Sequence, residues 1–343
     1  MKLVKSSSLA RLLALSLLVT VYAAPARAAT TLEMAYMPIV PCSQLFVMEG
    51  MGWTKEAGIN LKLTRFPNGP AIVQAIASGK MDLMCFGIGP AMVSRAKGIK
   101  IKVIATGIVE QIAVIAQGDL VKYFNKYPQK EALVRFAKDK GRKVKLASFP
   151  KGSVPDTVTR HWLIKMLGMS VDDVELIGMG ASRVQQALLS RSVDAAGILE
   201  PILTIVASKL PDAKVVVRAN GMMPRQPGST LAARENIIEQ HRAAIVKLVE
   251  LHTRATKLLL EQPEKAAPHV TKFIAKGLVD EATILKAISS PSSNFRANPR
   301  DIIESTKYMS SFQYQYKIQS KKVNTDNLFD TTVYDAAIAG MSK

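Results

Sequence analysis

Apolar and polar positions along this chain switch repeatedly between a two-residue and a helical period. Leu32 to Met37 reads as a first strand, ended by Pro38-Ile39-Val40-Pro41, where prolines hold the backbone extended. Ser43 to Glu56 follows with helical spacing, loosened by Gly50 and Gly52. Ile59 to Phe66 alternates, Leu61 and Leu63 against Lys62 and Thr64, as a strand with one wet face does. The same reading predicts strands at Leu83–Phe86, Lys100–Thr106, Ile112–Ala116, Lys143–Ser148, Val174–Met179, Ala195–Leu199 and Lys214–Arg218. Helices are predicted between most of them, at Ala71–Ser78, Pro90–Lys97, Val154–Leu167, Arg183–Ser190 and Pro201–Leu210. Such alternation implies parallel sheets. Beyond a Pro- and Gly-rich segment, Asn220 to Ser229, the pattern is helical at Arg242–Glu261, Leu278–Ser289, Arg300–Gln319 and Asn327–Ala339. These late helices are expected to pack outside the first lobe.

One pattern occurs twice. Asn68-Gly69-Pro70, a helix to Ser78, the turn Gly79-Lys80-Met81-Asp82 and the strand Leu83–Phe86 recur 112 residues later as Gly180-Ala181-Ser182, a helix to Ser190, Arg191-Ser192-Val193-Asp194 and Ala195–Leu199. In that register Gln74, Ala75, Ser78 and Asp82 fall on Gln186, Ala187, Ser190 and Asp194. The period is far too long for a solenoid, whose repeats run about 20 to 50 residues. It suits two alike α/β lobes: residues 29–112 as the first part of lobe I, 113–220 as lobe II, and 221–343 returning to lobe I. The segments near Val109–Ile112 and Asn220–Ser229 would cross between them. Ligands of open α/β sheets bind beyond the carboxyl ends of strands, so facing lobes make a cleft there. Asp82 and Asp194 precede their strands, at the far end, and read as turn-fixing residues.

Composition adds a compartment. Lys2, Lys5 and Arg11, the apolar stretch Leu12–Tyr22 and Ala26-Arg27-Ala28 have the order of a cleavable secretory signal over residues 1–28. No later stretch is long and apolar enough for a membrane helix, so the mature protein is expected to be soluble and periplasmic. Loss of Lys2, Lys5, Arg11 and Arg27 takes the formal charge from +19 to +15. The remaining Lys and Arg are scattered without interleaved aromatics, which argues against nucleic acid as partner but leaves a positive field able to attract a small anion. Cys42 and Cys85 are the only cysteines; an oxidising compartment permits a bridge, and two buried thiols are the alternative.

Catalytic motifs are missing. The four histidines include no pair at helical ligand spacing, and there is no CxxC or HExxH, so no metal site is expected. Gly87-Ile88-Gly89 and Gly178-Met179-Gly180 open like dinucleotide fingerprints but have Met92 and Arg183 at the third glycine. No cofactor and no enzymatic activity are expected. What remains is a set of helix starts aimed at one cleft: Pro41–Gln44, Asn68–Ala71, Gly87–Ala91 and Gly152–Val154. A helix start offers unpaired N–H groups and partial positive charge to an anion. Asn68 and Ser153 could instead simply cap their helices. Glu200, before Pro201, could accept hydrogen bonds from a ligand or cap the helix behind it. His252 lies on the apolar face of its helix and reads as a core residue.

Together, Met37-Pro38-Ile39, Phe66-Pro67-Asn68-Gly69-Pro70, Gly79-Lys80-Met81-Asp82, Gly87-Ile88-Gly89-Pro90, Lys151-Gly152-Ser153 and Val193-Asp194 with Glu200-Pro201 resemble the periplasmic solute-binding proteins of nitrate, sulfonate and taurine ABC importers. That group is similar in turn to the thiamine-pyrimidine precursor synthases. The resemblance implies a two-lobed type II periplasmic binding fold, each lobe a mixed, mostly parallel sheet flanked by helices. It further implies a monomer that captures a small organic anion or zwitterion and delivers it to a permease served by a separate ATPase. The ligand-contacting turns it implies contain Met37, Pro38, Cys42, Gln44, Asn68, Gly69, Pro70, Gly87, Ile88, Gly89, Gly152, Ser153 and Glu200. Many sulfonate binders carry Trp-Asp-Pro where this chain has Leu199-Glu200-Pro201. The other readings are import of a pyrimidine-like heterocycle and a periplasmic sensor domain. The precursor synthases carry a cysteine cluster, of which only Cys85 stands here.

Overall fold

The computed structural model describes residues 29–274 and 279–341; the signal segment read at 1–28 lies outside them. The described strands are β1 (Thr30–Tyr36), β2 (Ile59–Arg65), β3 (Leu83–Gly87), β4 (Ile101–Thr106), β5 (Ile108–Val109), β6 (Ala113–Ala116), β7 (Lys145–Ser148), β8 (Glu175–Gly178), β9 (Ala195–Ile198), β10 (Lys214–Val217), β11 (Ser229–Arg234) and β12 (Asn294–Phe295). Lobe I has the sheet order β2-β1-β3-β11-β4, and lobe II the order β8-β7-β9-β6-β10. In each, four strands run one way and the fourth in spatial order, β11 or β6, runs against them. That reversed strand is in each case the first one the chain forms after crossing into the lobe, β6 on entering lobe II and β11 on returning to lobe I.

The repeated pattern occupies the same place in both sheets. Helix Gly69–Ala77 leads into β3 and helix Ala181–Leu189 into β9, the central strands. Asp82 Oδ2 accepts from the Glu33 N–H at 2.9 Å and Asp194 Oδ2 from the Lys145 N–H at 2.8 Å. Each aspartate thus ties the start of its central strand to the neighbouring strand, as a turn-fixing residue would. The turn before them needs a left-handed residue: Gly79 supplies it at φ 77°, and in the second copy Arg191 takes φ 58°.

Elements depart from the pattern reading where glycine or tertiary packing decides. The helix expected over Ser43 to Glu56 breaks at Gly52, φ 75°, into Ser43–Gly50 and Trp53–Glu56. β11 lies inside lobe I's sheet, paired on both sides, although Ser-Thr-Leu-Ala-Ala-Arg shows no alternation. A strand buried on both faces has none to show.

The crossing segments lie side by side. Gln226, fully buried, accepts the Ile112 N–H at 2.9 Å through Oε1, and its backbone carbonyl accepts from Glu110 N at 3.0 Å. The late helices are not confined to lobe I. Arg242–Glu261 packs on Ser43–Gly50 and Thr331–Met341, but Ile303–Gln315 reaches lobe II. There Gln313 Nε2 donates to Thr157 Oγ1 at 2.8 Å and Tyr308 meets His161 Nε2 at 2.9 Å.

Candidate functional site

After β1 the chain turns through Met37-Pro38-Ile39 and the single turn Val40–Cys42 into helix Ser43–Gly50. The side chains expected to face a ligand here are turned to structural use. The Cys42 thiol donates to the Cys85 carbonyl at 3.0 Å, and Gln44 Nε2 donates to the Gly107 carbonyl at 2.6 Å and more weakly to that of Arg296. Both residues have no exposed surface. The Cys42 thiol and the Gln44 amide nitrogen thus hold the turn by bonding backbone carbonyls within lobe I, while Gln44 Oε1 is buried without a hydrogen-bond partner among the described residues. The two cysteines stay reduced thiols, and the hydrogen bond between them, with burial, pushes the Cys85 thiol well up.

The other helix starts are capped. Asn68 Oδ1 accepts the Ala71 N–H at 3.0 Å and Ser153 Oγ the Asp156 N–H at 3.3 Å. The Gly152 N–H itself donates to Asp156 Oδ2 at 2.9 Å, and Ile88 N to the Gly228 carbonyl at 2.9 Å. Burial raises the Asp156 carboxyl, against the pull of Arg160 2.8 Å away. Glu200 is 3% exposed, and its two oxygens accept from the Thr204 N–H at 3.0 Å and hydroxyl at 2.9 Å. This is the capping arrangement, and burial raises this carboxyl too, opposed by the Thr204 and Ser290 hydrogen bonds.

The glycines do what the side chains do not. A Cβ on Gly89 of lobe I would stand 2.9 Å from the Gly152 carbonyl of lobe II, and one on Gly87 would meet Val154 Cγ2 at 3.2 Å. A Cβ on Gly69 would meet Pro90 Cγ at 2.9 Å. Val40 N donates to the Glu200 carbonyl at 3.3 Å, the backbone of one lobe to that of the other. Gly87 and Gly89 therefore stand against lobe II where the lobes meet, and at Gly89 only glycine permits the approach; Gly152 has open space around it and is glycine for its φ of 85°.

Two cavities flank this contact, each lined from both lobes. The smaller, about 190 Å³, has Gly69, Pro70 and Gly89 on one wall and Lys151, Gly152 and Ser153 on the other. The larger, about 550 Å³, is lined by Met37, Pro38 and Asn68, together with Arg65, Phe66 and Arg183, which the sequence reading does not single out as contacts. The signal for Arg183 was in the repeat: if Asn68 opens one cleft helix, its counterpart Gly180 opens another.

The described residues hold no cluster of three or more His, Cys, Asp or Glu able to bind a metal, and no described helix is long and apolar enough to cross a membrane. His252 is the core residue its pattern suggests: Nε2 donates to the Thr106 carbonyl at 2.7 Å, and burial holds its pKa down to about 4.

The chain is 29% identical over 235 residues to a provisionally named binding protein of Brucella abortus, a match covering 68% of this chain and 66% of that one. It is 26% identical over 306 residues to a protein of Bacillus subtilis that carries the provisional name of an aliphatic sulfonates-binding protein, covering 86% and 85% of the two chains. The fold matches that of the periplasmic nitrate-binding protein NrtA from Synechocystis PCC 6803 at TM-score 0.75 and 12% identity, over 91% and 89% of the chains. The desulfurization enzyme DSZB matches in fold at 0.63 and 12%, over 91% and 99% of the chains. The NMT1-like family model matches residues 26–275, and the chain belongs to that family.

Proposed function

We propose that this chain is the exported solute-binding component of an ABC importer, which closes its two lobes over one small organic anion and presents it to a membrane permease. The observation that carries this reading is the meeting of glycine turns from opposite lobes, with a cavity on either side lined from both. Such a contact is of use to a protein whose lobes part and close about the paired crossing segments. The sulfonate and nitrate binders among its relatives and structural neighbours support the same class of solute. Met37, Pro38 and Phe66 offer apolar surface that an organic acid can bury and nitrate cannot.

No histidine, cysteine or carboxylate lines either cavity, so retention of the solute, rather than its conversion, is the reading the lining supports. The test is a thermal-shift screen of sulfonates, carboxylates, pyrimidines and nitrate, followed by calorimetry and product analysis of each hit. One-to-one binding of an acid recovered unchanged, and capture of a permease by the loaded protein, is the expected outcome. Turnover of the hit, or capture of a sensor kinase in place of a permease, would contradict it.

A further inference from the structure

The larger cavity has a charge pattern that the solute-binding reading leaves unused. Arg65 stands at the end of β2 in lobe I, and Arg183 in the first turn of helix Ala181–Leu189 in lobe II. Both line the same 550 Å³. Neither guanidinium makes an ion pair or a side-chain hydrogen bond among the described residues, whereas nine other arginines do: Arg95, Arg135, Arg142, Arg160, Arg191, Arg234, Arg242, Arg296 and Arg300. No carboxylate lines this cavity or the smaller one, which adds Lys97 from lobe I and Lys151 from lobe II.

We propose that Arg65 and Arg183 form a two-sided clamp and that the solute is a dianion, a dicarboxylate or a sulfonate joined to a carboxylate, on an apolar body. The proposal rests on the solute-binding reading of the cleft and narrows its substrate class. Closing the lobes draws two like charges around one volume, and without a counter-charge they repel. A solute with an acid group toward each lobe removes that repulsion and gives each guanidinium a two-point partner, which Arg geometry favours. Phe66, Met37 and Pro38 cover the body between the acid groups. Asn68, its oxygen already spent on the Ala71 N–H, has its amide NH₂ left to donate. A zwitterion such as taurine would bring its ammonium into a wall with no acid to receive it.

Calorimetry would compare isophthalate, adipate and sulfobenzoate with benzoate, hexanoate and taurine, on the wild type and on R65Q and R183Q. Both arginines are exposed, so circular dichroism and thermal unfolding of the free variants should match the wild type. The expected result is a dianion bound at least about tenfold tighter than the monoanion of the same body, with either substitution removing most of that preference. Binding of the dianion should also weaken with added salt more steeply than that of the monoanion. A monoanion or taurine bound as tightly as any dianion, or a dianion bound equally by wild type and both variants, overturns the clamp and leaves the cleft a solute site. If no compound of any class binds, the cleft reading falls and the clamp with it.

Discussion

At the scale of single residues, three side chains named among the ligand-contacting turns also hold the frame. The Cys42 thiol and the Gln44 amide N–H donate to the carbonyls of Cys85 and Gly107, and Glu200 accepts from the Thr204 N–H and hydroxyl. A cysteine, a glutamine and a glutamate near a cleft have this alternative open because a buried carbonyl or helix start left unpaired costs about 1–3 kcal/mol. The thiols give a first prediction. With Cys42 at 0% and Cys85 at 3% exposure, a thiol reagent should find no reactive group in the folded protein and two after unfolding without reductant. None in either state would mean a disulfide.

His252 gives a second. Its folded pKa of about 4 lies below the ordinary value of 6.5, so the unfolded chain takes up a proton that the folded one refuses. The stability this neutral, buried histidine contributes is fully present above about pH 6.5 and lost as pH falls toward 4, by roughly 3 kcal/mol in all. Urea unfolding of wild type and H252Q across that range should show their difference narrowing as pH drops. A constant difference would place the proton elsewhere.

At the scale of elements, the twofold pattern was legible because it rests on turn chemistry that spacing alone reveals. Asp82 and Asp194 lie one position before their strands and each receives an N–H from the neighbouring strand. Ala in place of either should cost about 1–3 kcal/mol, and more at Asp194, whose oxygens also receive the Arg142 guanidinium at 2.6 and 2.8 Å. Equal, near-zero losses in chemical denaturation would deny the two turns a common role. Strands with one wet face, such as β2, were readable from alternation. β11 was not, since its burial on both sides erases the period, and its partners Phe86 and Thr106 are over a hundred residues away in sequence. The reach of helix Ile303–Gln315 to lobe II was hidden too: a helix's own face shows that it packs, not upon what.

The candidate site was legible in part for the same reason. Glycine at 69, 87 and 152 reads in the sequence as room for a ligand at the backbone; in the structure Gly87 and Gly89 instead lie against Val154 and Gly152 of the other lobe. Arg65 and Arg183 were not found, because an exposed arginine at a strand end or a helix start has no local pattern distinguishing it from a solvated one. Only the pairing of walls from two lobes gives them meaning.

At the scale of the whole molecule, the account depends on two lobes of one design meeting across glycines, with solute between them stabilising that meeting. Gly89 is the place to break it. A side chain there would press on the Gly152 carbonyl, 2.9 Å from the added carbon, and backbone cannot yield as a side-chain tip would. Small-angle X-ray scattering on wild type and G89V, each with and without saturating amounts of the tightest-binding acid, measures the consequence directly. The account predicts that the wild type contracts on adding the acid, while G89V stays expanded and binds at least about tenfold more weakly. A G89V protein that contracts and binds as the wild type does would contradict it.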